Sequence, residues 1–510
     1  MSYDSILLNF ISAILMKLKA AYYNSAAAQA AARLGDCGKR LASSSVLWTF
    51  IKRKDFLSKI WESSGIYKFL DFLLNLPARI GRKFYGTFEE AFQNSLICKW
   101  LSILVNRLEV LIGLFLLLAA AVPHERWNNM YSMAAVCLLL CLAFIRTAAG
   151  KAGRFDIKAL DVILLVFMLS VLLAAATSIG PRDSLRYLLF HLTGFLLVLV
   201  LLGSLRSREE VGRLLDVALI GVFISGLLGI WQFINGVAVD AALTDIDLNE
   251  GMPGRIFSTM GNANNYAEFL ILTLPFFLAV IFNSRSVLKK VLYFLLALPP
   301  LAAMFLTGSR SGWIAFACGA MVFVFLKNRK LIPILLAAGL LCVPLLPEFV
   351  IRRIQTIGNP NDTSAKYRLL IYNTVRPMLR DYWVTGIGLG SEVFMKIVRD
   401  YHLFTNASVA HSHNLYLQTW METGIVGIVS FLWSMARVVK KCFIHIFNKT
   451  DPYINNLLIA GVSSLAGIAV MGLVEHVWFY PRVQMFFWLV VGIVLAGLGL
   501  LAAENEPAGA

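Results

Sequence analysis

The sequence predicts an all-α, polytopic membrane protein with about twelve transmembrane helices and a long helical external segment between spans nine and ten. Of the 510 residues, 58% are hydrophobic and only 15% are charged, and the mean hydropathy is +0.72. A soluble domain of this composition could not present a wettable surface. The formal charge of +16 comes in short Lys and Arg clusters between apolar runs, which indicates membrane orientation and not a nucleic-acid partner.

The first hundred residues differ in composition from the rest of the chain. The apolar run at 6–16 is too short to span a bilayer, and we interpret it as uncleaved. The segment carries 14 Lys and Arg residues interleaved with aromatic side chains, a pattern suited to helices in the headgroup region, although it also fits a loosely ordered basic tail. We predict a basic, partly amphipathic extension on the cytosolic face at 1–100, followed by a membrane domain at 101–510.

Apolar runs of helical length recur twelve times after residue 100. A bilayer core about 30 Å thick needs about 20 apolar residues per helix, so the shorter runs have uncertain ends. The predicted spans are 103–122, 127–145, 159–177, 184–202, 214–235, 263–282, 291–307, 311–326, 331–347, 414–436, 454–474 and 483–502.

The charges in the short loops predict how the chain is oriented. With the N-terminus inside, five internal loops hold 17 Lys and Arg residues and five external loops hold six. Because positive charge accumulates on the cytoplasmic side, this orientation is favoured and both termini are predicted to be cytosolic. The segment 348–413 is then external, together with 236–262.

Two of the external arginines are isolated and lie at helix mouths, on the side where the orientation rule disfavours cations. Arg255 follows Met252-Pro253-Gly254, and Arg310 lies in a Gly-Ser-Arg-Ser-Gly turn at a helix mouth. A guanidinium group matches phosphate oxygens two at a time, and each such contact contributes roughly 1.5 to 3 kcal/mol. An anionic ligand on this face would explain both residues, whereas interfacial snorkelling is the alternative for either residue alone.

A histidine pair also falls on this face, at the lip of the tenth predicted span. The stretch 411–427 reads HSHNLYLQTWMETGIVG, and its position suits chemistry on a lipid-linked substrate. In the alternative interpretation, Ser412 or Asn414 caps the helix and the two histidines belong to a solvated linker.

Four blocks of the sequence resemble the O-antigen ligase family of membrane glycosyltransferases. They are GRIFSTMGNANNYAEF, LTGSRSGWIA, YRLLIYNTVRPMLRDYWVTGIGLG and HSHNLYLQTWMETGIVG. The last block fits the family's pattern of His, then Asn, Ser or Gln, nine residues, Gly, two residues and Gly, Thr or Tyr. The matching residues are His413, Asn414, Gly424 and Gly427. The resemblance covers about residues 101–500 and implies a GT-C-like fold.

The resemblance implies a specific transfer reaction. An undecaprenyl-diphosphate-linked glycan would be transferred, with inversion and without a metal ion or other cofactor, to an acceptor glycan or glycolipid. The reaction would take place at the outer face of the bacterial cytoplasmic (inner) membrane. Arg255 and Arg310 would bind the departing pyrophosphate, and His413 would be the general base. Imidazole ordinarily titrates near pH 6.5, so its neutral form can accept a hydroxyl proton at pH 7.

Several further residues are candidates to support this site. His411 is an alternative base if the motif match misplaces the helix start, and Arg368 lies in one of the resembling blocks. Arg376 and Arg380 are better explained as a solvated helix face, and the glycines at 386–390 as a turn between external helices. The remaining candidates are Asn414, Glu475 and His476.

Two other protein classes remain open at this level. A transporter or flippase for a lipid-linked or anionic substrate would place ionisable residues near the bilayer midplane and show paired repeats. Here His191 is the clear mid-span candidate, and the halves show no repeat. An acidic run at 240–250 is interpreted as a solvated loop. Residues 1–100 could also bind other envelope-assembly proteins, which is compatible with catalysis.

Overall fold

The computed structural model describes residues 20–30, 56–150, 161–236, 254–355, 363–401 and 409–505, with a few isolated positions between them. No β-strand occurs within these ranges. From residue 56 onward the α-helices are α1 (Phe56–Ser63), α2 (Gly65–Thr87), α3 (Glu89–Asn94), α4 (Leu96–Asn106), α5 (Leu108–Ala121), α6 (Asn129–Ala148), α7 (Val162–Ala176), α8 (Pro181–Ser204), α9 (Arg208–Asn235), α10 (Ala263–Asn283), α11 (Val287–Leu306), α12 (Arg310–Asn328), α13 (Ile332–Cys342), α14 (Glu348–Gln355), α15 (Thr363–Tyr382), α16 (Ser391–Val398), α17 (Leu415–Asn448), α18 (Pro452–Met471) and α19 (Pro481–Asn505).

The prediction of an all-α polytopic membrane protein is confirmed. Among the described residues, eight helices are long and apolar enough to cross a membrane: α6, α8, α9, α10, α11, α17, α18 and α19. A ninth span is possible if α4 and α5, which are bent by 71° at their junction, count as one. The other three predicted spans coincide with α7, α12 and α13. The count of twelve is therefore not confirmed, although a helix lies at every predicted position.

Many of these helices begin at a polar residue that caps the first turn. The Asp161 side chain accepts a hydrogen bond from the backbone of Ile163 at the start of α7. Ser207 forms a capping box with Glu210 at the start of α9. These side chains satisfy amide groups that have no partner within the helix. The polar residues between apolar runs therefore define where helices start.

Three helices form the centre of the bundle. In α10, α18 and α19, 78%, 83% and 83% of the most apolar window is buried, against 22% in α11. Small residues let these helices approach closely, as in other membrane bundles. A Cβ atom on Gly319 of α12 would lie only 2.9 Å from the Ser463 carbonyl oxygen of α18. A larger side chain at Gly319 would push α12 and α18 apart.

The described part of the segment predicted to be external contains the helices α14, α15 and α16, and the stretch between α15 and α16 is not helical. Helix α15 packs through Ile371 and Val375 against Phe394 of α16 and Met421 of α17. The glycine-rich stretch 386–390 is a turn between α15 and α16, as predicted from its sequence. Its backbone is tied to α17, because Ile387 N–H donates to the Met421 carbonyl oxygen at 2.7 Å. The connection between α15 and α16 is thereby fixed to α17, the helix that follows the histidine pair.

The N-terminal extension is described only in part. Residues 56–100 are helical, and α2 packs against α6, where Arg82 donates to the Thr147 carbonyl oxygen at 3.1 Å. The basic cluster at 52–54 and the acidic run at 240–250 lie outside the described residues. The domain boundary at residue 100 and the cytosolic placement of the extension remain predictions.

Candidate active site

The histidine stretch forms a tight turn just before α17. Asn414 is the N-cap, and its Oδ1 accepts from the N–H groups of Tyr416 and Leu417, each at 2.9 Å. The capping interpretation is thus correct for Asn414. Ser412 has another role, because its N–H donates to Gln418 Oε1 at 2.8 Å. His413 has a left-handed φ of +49°, a conformation that costs energy in a non-glycine residue and persists only where neighbours hold it.

Glu475 links the histidine turn to the arginines. Its Oε2 lies 3.1 Å from His413 Nδ1, and its Oε1 accepts from Asn264 Nδ2 at 2.9 Å and from Arg368. Burial alone would raise the pKa of this carboxyl group. The hydrogen bond from His413 and the positive charge of Arg368 outweigh burial and lower the pKa to about 2. Glu475 is therefore a buried anion that orients partners on both sides.

Arg255 is held in place by neutral groups. Its Nε donates to the Thr307 carbonyl oxygen at 2.9 Å, and its Nη2 donates to Asn264 Oδ1 at 2.6 Å. Burial, together with the nearby charge of Arg353, lowers the pKa of Arg255 to about 9, although Glu475 partly offsets this. The group is still charged at pH 7. Its position and its charge are both fixed before any ligand binds.

Four arginines line one cavity of about 290 Å³, which we call the arginine cavity. Two were predicted site residues, Arg255 and Arg310, and Arg368 was a supporting candidate. The fourth is Arg353, whose Nε donates to the Gly308 carbonyl oxygen at 2.8 Å. No carboxylate lines the cavity among the described residues. Its wall is formed by Arg255, Asn264, Gly308, Ser309, Arg310, Ser311, Ile314, Arg353, Ser364, Arg368, Val470, Leu473 and Val474.

Gly308 lies in a turn directly beside two of these arginines. Its φ is +60°, a region that side chains rarely adopt. A Cβ atom there would lie 3.4 Å from Arg255 Cγ and 3.6 Å from Arg353 Nε. The turn that the sequence analysis singled out around Arg310 therefore shapes the cavity through its backbone.

His413 lies beside the arginine cavity and not in its wall. The two are joined through Glu475, which contacts His413 on one side and Arg368 and Asn264 on the other. The side chain of His413 is 27% exposed. The structure thus places Arg255 and Arg310 around one cavity. His413 lies next to this cavity, with the Glu475 carboxylate between them.

His411 and His476 face a second, closed cavity that we call the histidine cavity. Its volume is about 10 Å³, close to one water molecule. Burial lowers the pKa of His411 well below its ordinary value and that of His476 to about 3. The lining residues are Tyr187, His191, Gly390, Ser391, Ala410, His411, Gln418, Glu422, His476, Trp478, Phe479 and Gln484.

Steric crowding explains why the two motif positions after the histidine pair, Gly424 and Gly427, are glycine. Gly424 interrupts α17 with a φ of +67°, and a Cβ atom there would lie 2.0 Å from the Val384 carbonyl oxygen. A Cβ atom on Gly427 would lie 1.8 Å from Thr423 Oγ1. Gly424 lets the chain before the glycine-rich turn pack directly on the break in α17, and Gly427 leaves room for the Thr423 side chain.

Sequence reasoning missed three residues of this site: Asn264, Tyr372 and Arg353. Asn264 lies inside one of the resembling blocks, and Tyr372 donates to the His413 carbonyl oxygen at 3.1 Å. Arg353 could have been predicted as a site residue, because it is a cation in the segment predicted to be external. The same reasoning that selected Arg255 would have selected it. Arg376 and Arg380 are exposed, as their predicted solvated face requires.

The fold and this site define a polytopic membrane protein of the glycosyltransferase type. A family model described as O-Antigen ligase matches residues 292–432, which include three of the four cavity arginines and His413. Over this part of the chain the protein is thus similar to the O-antigen ligase family, and it is an enzyme of the glycosyltransferase type.

Relatives with assigned names show how far the similarity extends. The "Teichuronic acid biosynthesis protein TuaE" of Bacillus subtilis is 19% identical over 66% of this chain and 70% of its own length. The "O-antigen ligase" of Salmonella typhimurium is 24% identical over 58% of this chain and 74% of its own length. A "Putative polysaccharide ligase" of Rickettsia felis is 23% identical over 36% of this chain and 47% of its own length.

Proposed function

We propose that this enzyme transfers a glycan from an undecaprenyl-diphosphate donor to an acceptor hydroxyl group, in envelope polysaccharide biosynthesis. The observation that supports this most is the arginine cavity, with four guanidinium groups beside the His413–Glu475 pair. We place the reaction at the external face of the cytoplasmic membrane, because the predicted orientation puts the cavity there. The names of the relatives, which include ligases for O-antigen and polysaccharide, agree with this class of reaction.

The arginine cavity suits the leaving group of such a transfer. As the bond from the anomeric carbon to the diphosphate breaks, its electron pair moves to the diphosphate oxygen and negative charge develops there. Fixed guanidinium groups lower the energy of this state more than that of the ground state. Arg255 needs no rearrangement to act, since Thr307 and Asn264 already hold it. The cavity therefore offers a way to bind and release diphosphate without a metal ion.

His413 suits the role of general base for the acceptor. The carboxylate of Glu475 accepts the Nδ1–H of His413, which leaves Nε2 to take the hydroxyl proton. The acceptor oxygen then bonds to the anomeric carbon from the face opposite the departing diphosphate, which gives inversion. Glu475 stabilises the imidazolium that forms, because it is itself ionised. His411 is a weaker candidate, since its ring is buried and its Nδ1 already accepts from the backbone of His413.

The test is transfer by purified protein in detergent, supplied with the lipid-linked glycan and an acceptor. The His413→Ala variant is expected to lower turnover by ~10²–10⁴, as for a lost general base. His445→Ala is the matched control, because His445 lies at the opposite end of α17, and it should retain turnover. Near-normal turnover of His413→Ala would exclude the assigned base. Failure of the unmodified protein to form a covalent product would instead favour a transporter or flippase.

The same assay distinguishes a ligase from a polymerase. A ligase passes the glycan to a different molecule, whereas a polymerase passes it to another copy of the repeat unit. Incubation with repeat-unit donor alone should lengthen the product only for a polymerase. Both activities would use the same cavity and the same base.

A further inference from the structure

The N-terminal helices present an apolar face that the other residues described by the structure leave uncovered. On α2, the side chains of Ile66, Phe69, Leu73, Ile80 and Phe84 are all more than half exposed. Their spacing places them along one side of the helix. The opposite side is anchored, because Asn75 Nδ2 donates to the Phe155 carbonyl oxygen at 3.0 Å. Helix α2 is thus held on the bundle by one face and offers its apolar face to the bilayer.

A large cavity opens where α2, α3 and α4 meet the end of α6. Its volume is about 670 Å³, within the roughly 300–1,000 Å³ of sites that hold small ligands. Leu96, Ile97 and Trp100 nearby are each more than 70% exposed. The wall is mostly apolar and consists of Gly81, Phe84, Tyr85, Phe92, Gln93, Cys98, Lys99, Leu101, Ser102, Val105, Ile145, Ala148 and Ala149.

The charged side chains that line this cavity and the groove beside it are all basic among the described residues. Lys99 lies in its wall, and α2 also borders a neighbouring groove of about 430 Å³ lined by Arg79, Arg82 and Lys83. No Asp or Glu lines either hollow among the described residues. Between residues 65 and 107 the sequence has six Lys and Arg residues and three Asp and Glu residues. An occupant of the cavity must therefore be apolar over most of its surface and anionic at one end.

We infer that this cavity binds an anionic glycerophospholipid, with an acyl chain against the apolar wall and the phosphate near Lys99. The predicted orientation puts this site in the cytosolic leaflet, which carries the anionic lipids. Each basic side chain near such a surface strengthens binding severalfold. The site lies at the opposite end of the bundle from the predicted external arginine cavity, and it does not depend on the proposed transfer reaction.

The experiment measures lipid retention by the purified full-length protein. Native mass spectrometry would follow phosphatidylglycerol and phosphatidylethanolamine with matched acyl chains, each added in mixed micelles. We expect retention of phosphatidylglycerol at least ~10-fold above phosphatidylethanolamine. The Lys83→Glu, Lys99→Glu double variant should abolish this preference. Equal retention of the two lipids by the unmodified protein would overturn the inference.

Matched variants distinguish this cavity from the membrane surface in general. Arg285→Glu with Lys290→Glu changes two cations of another short loop and should leave the preference intact. Cys98→Trp, which fills the cavity, should reduce retention of both lipids, whereas Cys141→Trp on the exposed side of α6 should not. Loss of the preference in the loop variant, or unchanged retention in Cys98→Trp, would refute the site.

A second measurement needs no variant and does not depend on folding of altered chains. Cys98 lines the cavity, so phosphatidylglycerol bound there should slow its reaction with a maleimide severalfold. The same measurement with phosphatidylethanolamine of matched acyl chains serves as the reference. Equal reaction rates of Cys98 with and without phosphatidylglycerol would overturn the inference.

Discussion

The arginine cavity and the histidine cavity lie on either side of the histidine turn and differ in room and in charge. The first holds about 290 Å³ and four guanidinium groups. The second holds about 10 Å³, and burial lowers the pKa of its residues His411 and His476. A group of titratable residues can bind an ion only where there is space for the ion and charge to attract it. We therefore interpret the arginine cavity as the binding site and the histidine cavity as its support.

The largest effect on kcat/KM should appear when the arginine cavity loses a side chain. Arg310→Ala is expected to lower kcat/KM roughly 10- to 150-fold, the effect of one lost charge-assisted contact. Arg310→Lys should also fall below the unmodified enzyme, because a point charge does not replace the planar fork of donors. Steady-state transfer kinetics would measure both effects.

The control for Arg310 is Arg376, an exposed arginine on α15. Arg376→Ala and Arg376→Lys should leave kcat/KM close to that of the unmodified enzyme. If the Arg376 variants lose as much activity as the Arg310 variants, the arginine cavity has no special role in binding.

A smaller effect is expected at Gln418, which lines the histidine cavity and hydrogen-bonds the histidine turn. Its Oε1 accepts from the Ser412 N–H at 2.8 Å, and its Nε2 donates to Glu422 at 2.9 Å. Gln418→Ala leaves both groups buried without this partner and loosens the histidine turn. We expect kcat to fall roughly 10-fold with KM for the donor unchanged, because a positioning residue does not touch the substrate.

Gln484 provides the comparison for Gln418. It lines the same histidine cavity, but its side-chain hydrogen bond among the described residues is to His191, at 2.8 Å, and not to the histidine turn. Gln484→Ala should lower the unfolding temperature without lowering kcat. A fall in kcat of the same size in both variants would mean that general loosening, and not the turn, controls the rate.

The smallest effect concerns the dependence of stability on pH. Burial, with the nearby charges of His191 and His413, lowers the pKa of His476 to about 3. An unfolded histidine binds a proton below about pH 6.5, so folding stability is lost as the pH falls from there toward 3. The lowered pKa of Glu475, about 2, gives stability that is present above about pH 4.3 and is lost only below it.

Unfolding temperatures of the detergent-solubilised protein between about pH 5 and 7 avoid the Glu475 contribution, since Glu475 stays ionised throughout. The difference between the unmodified protein and His476→Asn in this range isolates the contribution of His476. His476→Asn should flatten the decline toward pH 5, leaving the share that belongs to His411. An unchanged slope in this variant would show that His476 does not contribute to the acid sensitivity of the fold.

Much of the site was visible in the sequence because its residues lie in short, recognisable blocks. The sequence selected Arg255, Arg310 and His413 and gave Glu475 as a supporting candidate. The central position of Glu475 was not predictable, because its partner Asn264 lies 211 residues earlier and no local pattern couples them. The sequence also left both His411 and His413 as candidates for the general base. They are only two residues apart, and sequence position alone does not show which imidazole ring is buried.

The sequence by itself determined the class of the protein and the placement of its helices. A polar backbone can cross lipid only when its hydrogen bonds are satisfied within the segment, so each long apolar run had to become a helix. Only the tertiary structure decided which helix ends lie next to one another. Convergence depends on packing between distant segments, which brings four arginines around one hollow and encloses His411 while leaving His413 accessible. Close contacts at glycines such as Gly319 and Gly424 make that packing possible.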